Sequence, residues 1–128
     1  MRLYVDSSAL MKLLVREAGS TALQAYIRGT TLLTSALTAI EVERAIRRHS
    51  LQDAVDVDAL FEGVEQRQLD SSVIARAGKI GPPGLGAVAA IHLATAIELR
   101  GELDAFVTYD ARLAEAARSH RLPVVAPA

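Results

Sequence analysis

Apolar positions fall into short unbroken runs and longer periodic stretches, and the two kinds alternate along the chain. Leu3-Tyr4-Val5 is an unbroken run of the sort buried on both faces of a parallel sheet. It stops at Asp6. Ser7 and Ser8, good helix caps, then precede Ala9-Leu10-Met11 and Leu13-Leu14, whose spacing predicts a helix from Ser8 to about Arg16 with Leu10, Leu13 and Leu14 inward. A second helix is expected from Thr21 to Arg28, closed by Gly29, and a β-branched strand from Thr30 to Thr34. Ser35 to Arg48 carries a strong helical pattern. Asp53 to Gln66 is expected as another helix, Arg67 to Asp70 as a brief strand, and Ser71 to Lys79 as a further helix. Gly81-Pro82-Pro83-Gly84 must be a loop. Ala87 to Leu99 is an apolar helix ended by Gly101. Asp104 to Asp110 repeats the opening pattern, a buried strand running to an Asp. Ala111 to His120 is helical, and Leu122 to Val125 forms a last short strand.

Strands alternating with helices predict an α/β fold. One domain is expected over residues 1–128, with a mainly parallel sheet of four to five strands and helices on both faces. Hydrophobic residues make up 51% and charged residues 23%, which excludes a disordered chain. Cysteine is absent, so disulfides and thiolate metal sites are excluded and a reducing, cytoplasmic setting is expected. No apolar run reaches membrane-spanning length, so no membrane partner is expected. The net charge of −1 means that any nucleic acid must meet a local basic patch.

Two predicted strands run to an Asp, Asp6 and Asp110. On neighbouring parallel strands their carboxylates share one edge of the sheet, where open α/β sheets place ligands. Like charges brought together there call for a cation, and Mg²⁺ binds through a few carboxylates and several waters. Asp6 has an alternative role as a helix cap. Glu41 is a third candidate, but Thr38-Ala39-Ile40-Glu41 also matches a capping box with Thr38 as cap. Glu43 and Arg47 stand at i, i+4, which favours a surface ion pair.

With these residues in place the chain resembles a known family. It is similar to PIN domains, and more closely to the VapC toxins of prokaryotic VapBC toxin–antitoxin pairs. The resemblance is carried by Val5-Asp6-Ser7-Ser8-Ala9-Leu10, by Ser35 to Val42, by Ala90-Ile91-His92-Leu93-Ala94-Thr95-Ala96 and by Val107-Thr108-Tyr109-Asp110. It implies a metal-dependent endoribonuclease with Mg²⁺ (or Mn²⁺) at the sheet edge. Asp6 and Asp110 would be metal ligands, and Glu41 would help to hold metal or orient the attacking water. It also implies a VapB-type antitoxin, an RNA substrate and a homodimer. The antitoxin is expected over apolar helical surface near Leu10, Leu14 and Tyr26.

One position departs from the pattern. The family has Asp directly before the Ala-Ile-His-Leu-Ala-Thr-Ala run, and here Ala89 stands there. The resemblance therefore implies a missing metal ligand and little or no cleavage. Either the chain is a naturally weakened member or an Asp has been replaced by Ala; the intact surroundings of Ala89 favour replacement. His92, one turn after Ala89, either faces the site or packs in the core. Thr108 either orients a carboxylate or water or completes the strand end. Arg44 and Arg48, at i+3 and i+7 from Glu41, can meet RNA phosphates or form a solvated face. Arg112, Arg118 and Arg121 form a weaker basic patch. The runner-up function is a catalytically silent module that docks an antitoxin or RNA.

Overall fold

The computed structural model describes residues 1–128. Five strands form one sheet: β1 (Arg2–Val5), β2 (Thr31–Ser35), β3 (Val64–Arg67), β4 (Ala105–Val107) and β5 (Val124–Val125). Their spatial order is β3-β2-β1-β4-β5 and every pairing is parallel. β1 is the central strand, and its register places Leu3 beside Leu32 on one side and beside Ala105 on the other. The seven helices are α1 (Ser7–Leu14), α2 (Ser20–Ile27), α3 (Leu37–Arg48), α4 (Val57–Glu62), α5 (Ser71–Lys79), α6 (Ala87–Glu98) and α7 (Ala111–Ser119).

The alternation of side chains along the strands divides the core in two. Leu3 and Val5 of β1, Leu32 of β2, and Ala105 and Val107 of β4 face one layer with Leu10, Val42, Ile46 and Phe61. Tyr4, Leu33 and Phe106 face the opposite layer with Leu93, Ala96, Leu113 and Ala117. A parallel sheet covered on both faces needs apolar residues at successive strand positions, which is why the strands read as unbroken runs. Leu93 is fully buried among these residues, so Leu93→Ala would cost on the order of 2–5 kcal/mol.

Several boundaries differ from the sequence expectation for identifiable reasons. Asp53 to Gln66 is not one helix. Residues 51–55 form turns, α4 begins at the cap Asp56 and stops at Gly63, and β3 follows at once. The expected strand at Arg67 to Asp70 therefore lies earlier, at Val64–Arg67, where it pairs with β2. Asp6, not Ser7 or Ser8, caps α1: its carboxylate accepts the Ala9 N–H at 3.1 Å. Thr38 caps nothing. It lies inside α3, whose cap residue is Ala36, and is buried against the Thr34 hydroxyl at 2.8 Å. The capping-box role of Glu41 falls with it. Leu10 is fully buried and unreachable by an antitoxin, whereas Leu14 and Tyr26 are partly exposed. Glu43 and Arg47 pair at 3.0 Å, as their spacing predicts.

Candidate active site

The carboxyl ends of β1 and β4 lie side by side, and the residues that follow them build one edge of the site. Asp6 directly follows β1. Asp110 lies three residues beyond β4 and caps α7, so it is a helix-cap Asp and not a strand-end one; its Oδ1 accepts the N–H groups of Arg112 and Leu113 at 3.0 and 3.2 Å. Thr108 lies between them. Its hydroxyl donates to Asp6 Oδ2 at 2.5 Å and accepts the Asp110 N–H at 3.1 Å. Asp6 Oδ1 accepts from Ser8 Oγ at 2.6 Å and from the Ala9 N–H.

Asp6 is only 2% exposed. Burial raises its pKa above the ordinary value of 3.8, and the hydrogen bonds from Ser8, Thr108 and the Ala9 N–H lower it in part. A buried carboxylate held short of full compensation is suited to a nearby cation.

Glu41 arrives from the other direction. It stands one turn into α3, on the helical layer opposite α6, and the His92 ring of α6 meets it beyond the sheet edge. His92 Nε2 lies 2.6 Å from Glu41 Oε1, and Ser7 Oγ donates to Glu41 Oε2 at 3.1 Å. Asp6, Glu41, Asp110, Ala89 and His92 line one cleft of about 450 Å³, together with Ser7 and Arg112. The sequence-predicted acidic residues thus share a cavity, and position 89 forms part of its wall. Ala89 is the third residue of α6, whose cap Gly86 offers no side-chain hydrogen bond and whose first turn holds no acidic residue.

Other predicted residues lie elsewhere. Arg44 and Arg48 are exposed on the outer surface of α3, outside the acidic cleft, and Arg44 lines a separate groove with Ile40, Phe61 and Gln66. The basic residue in the acidic cleft is Arg112, which the sequence placed only in a weaker patch. The sequence offers Ser7 as a cap alone, and its role beside Glu41 has no local signal, since the two stand 34 residues apart.

The donor set is all oxygen, which fits a hard cation such as Mg²⁺. Asp6 Oδ1 and Asp110 Oδ1 each accept two bonds, but Asp6 Oδ2 accepts only one and Asp110 Oδ2 accepts none. Lone pairs therefore remain on one oxygen of each. No three acidic or histidine side chains converge closely enough to enclose an ion by themselves. The residues present fit a water-rich Mg²⁺ site of two carboxylates, with no third donor from position 89.

Residues 3–119 match the family model described as PIN domain. The chain is 40% identical over 131 residues to Ribonuclease VapC35 of Mycobacterium tuberculosis, an alignment covering 98% of this chain and 96% of that one. Among solved structures it is similar to M. tuberculosis VapC20, described as a Sarcin-Ricin loop cleaving toxin, with a TM-score of 0.74 at 14% identity over 98% of this chain and 99% of that one. It is also similar to VapBC2 from Rickettsia felis bound to a DNA fragment from their promoter, with a TM-score of 0.70 at 11% identity and full coverage of both chains. The structural likenesses carry the fold, and the family match and the sequence identity carry the kinship: the chain belongs to the PIN-domain family, among the VapC ribonucleases.

Proposed function

We propose that this chain is a VapC-type toxin whose Mg²⁺-dependent endoribonuclease centre is formed by Asp6, Glu41 and Asp110 and is silenced by Ala89. The observation that carries this reading is the single cleft lined by all three carboxylates and by position 89. Mg²⁺, when bound, supplies Lewis-acid stabilisation of the charge on a phosphodiester; Mn²⁺ has the same preference for oxygen donors.

The chain's own residues do the rest. Asp6 and Asp110 would hold Mg²⁺ through the carboxylate oxygens that keep lone pairs. Thr108 fixes the spacing of the two by bonding to both. Glu41, held at both oxygens by His92 and Ser7, orients the attacking water and accepts its proton. Arg112 lies in the same cleft and is suited to a phosphate of the RNA, while Arg44 and Arg48 would meet phosphates farther along the strand. An aspartate at position 89 would supply the missing ligand. With Ala89 only Asp6 and Asp110 would hold Mg²⁺, and a misplacement of about 1 Å in such a centre would be enough to cost roughly a hundredfold in rate.

A VapB-type antitoxin and a second copy of the chain are the partners that the VapC kinship supports. No helix is long and apolar enough to cross a membrane, and the proposed location is the cytoplasm, where RNA is found. Calorimetric titration with Mg²⁺ tests the metal assignment. Ala89→Asp should bind Mg²⁺ more tightly than the chain with Ala89, and equal affinity would remove position 89 from the ligand set.

A further inference from the structure

A hydrogen-bonded chain of three side chains runs from the buried layer beneath the sheet to the cleft. Tyr4 Oη lies 2.8 Å from His92 Nδ1, and His92 Nε2 lies 2.6 Å from Glu41 Oε1. Tyr4 is fully buried and His92 is 2% exposed. The phenol ring stacks on Phe106 with centroids 5.2 Å apart and planes 3° from parallel, and meets the His92 ring edge-on at 5.9 Å and 79°. Neither ring can turn without breaking this packing.

We propose that His92 is a positioning residue for the RNA-cleaving centre: Tyr4 fixes it as the neutral Nε2–H tautomer, and it clamps the Glu41 carboxylate from below. This rests on the nuclease reading above. An ionised carboxylate can only accept, so the contact with Glu41 Oε1 places a proton on Nε2. The Tyr4 hydroxyl, 2.8 Å from Nδ1, is placed to donate to it, which leaves the neutral ring with its one proton on Nε2. The phenol is fully buried and brings its O–H within hydrogen-bond reach of Nδ1. Ser7 holds the other oxygen of Glu41. Two donors from different elements, α1 and α6, therefore fix the plane of the carboxylate. Donors supplied behind a reacting group in this way govern its orientation, and their loss typically costs about 10–100-fold in activity.

Two measurements test the proposal. In a long-range ¹H–¹⁵N spectrum of the chain with Ala89 at neutral pH, His92 should show Nε2 as the protonated nitrogen and Nδ1 as the unprotonated one. In Tyr4→Phe, which keeps the stacked ring and loses only the hydroxyl, the Nδ1 resonance should move toward that of an unbonded nitrogen. The opposite tautomer, a doubly protonated ring or an Nδ1 signal insensitive to Tyr4→Phe overturns the proposal. In the Ala89→Asp background, adding Tyr4→Phe should lower kcat roughly tenfold and leave KM unchanged. His92→Gln, whose amide can still donate to Glu41, should retain more kcat than His92→Ala. A folded Tyr4→Phe variant with full kcat overturns the positioning role. Inactivity of Ala89→Asp itself would instead overturn the nuclease reading, and the tautomer measurement would still decide whether Tyr4 and His92 clamp Glu41.

Discussion

The Thr108 hydroxyl donates to Asp6 Oδ2 at 2.5 Å, joining the segments that follow two neighbouring parallel strands. The Thr108 hydroxyl oxygen accepts the Asp110 backbone N–H, so one hydroxyl ties the Asp6 carboxylate to the main chain of Asp110. Thr108 is fully buried, and no solvent can replace what it supplies. Thr108→Val should therefore destabilise the fold by roughly 1–3 kcal/mol, the cost of leaving buried polar partners unsatisfied. Thr108→Ser should retain most of that stability. Urea unfolding of the two variants checks this, and equal stability of Thr108→Val and the parent would contradict it.

The buried Asp6 gives a pH dependence with a definite sign. Its folded pKa is raised, chiefly by burial, above the ordinary value of 3.8. Between those two values the folded state binds more protons than the unfolded one, so the contribution of this group to stability falls as pH rises through that window. It is fully present below the unfolded value and lost above the folded one. Asp6→Asn keeps the helix cap, for which Asn serves as well as Asp, and removes the buried charge. In metal-free buffer at pH 7 it should raise stability by about 1 kcal/mol, as is common when a functional-site cost is relieved. The gain should shrink as pH is lowered toward the ordinary aspartate range. Thermal unfolding of both proteins across pH reads this, and a gain that grows in acid would reverse the assignment.

The parts of this molecule that were legible in its sequence are those decided locally. β1 and β4 are unbroken apolar runs because both faces of the sheet are covered, and α6 and α7 carry enough apolar residues to declare themselves. β3 carries no such pattern, because only Val64 of its four residues is buried and its place is set by pairing with β2. Thr38 looked like a cap because the capping-box spacing was right, but a tertiary partner, Thr34, claims its hydroxyl. The acidic residues of the site could be named, since each opens a helix or lies within its first turns. Their supports were legible only in part: His92 and Thr108 each carried two readings and Tyr4 none, since Tyr4 and His92 stand 88 positions apart, and His92 and Glu41 stand 51 apart. No spacing rule reaches across those distances. Only the fold brings α3 and α6 together beyond the sheet edge.

Arg44 and Arg48 are exposed, and neither forms a salt bridge, whereas Arg47 is paired with Glu43. Free guanidinium groups on one face of α3 are suited to phosphate contact. If both meet RNA, Arg44→Ala with Arg48→Ala should reduce the salt slope of binding by about 1.4, since each contact with single-stranded nucleic acid contributes about 0.7. Binding isotherms on single-stranded RNA across a salt series measure this. An unchanged slope would assign the two arginines to a solvated face.

The central claim is that a single missing carboxylate separates this chain from an active ribonuclease. Position 89 is the third residue of α6, where the helix dipole favours a negative charge by typically 0.3–1 kcal/mol and no other acidic residue competes. Ala89→Asp should therefore fold despite the nearby Asp6 and Asp110. The most direct measurement is cleavage of RNA by purified Ala89→Asp protein with Mg²⁺ and without antitoxin, beside the parent chain and an Asp6→Ala, Ala89→Asp double variant. The account predicts cleavage by Ala89→Asp, little or none by the parent, and none by the double variant. A folded Ala89→Asp protein no more active than the parent, or a double variant that cleaves equally well, would contradict it.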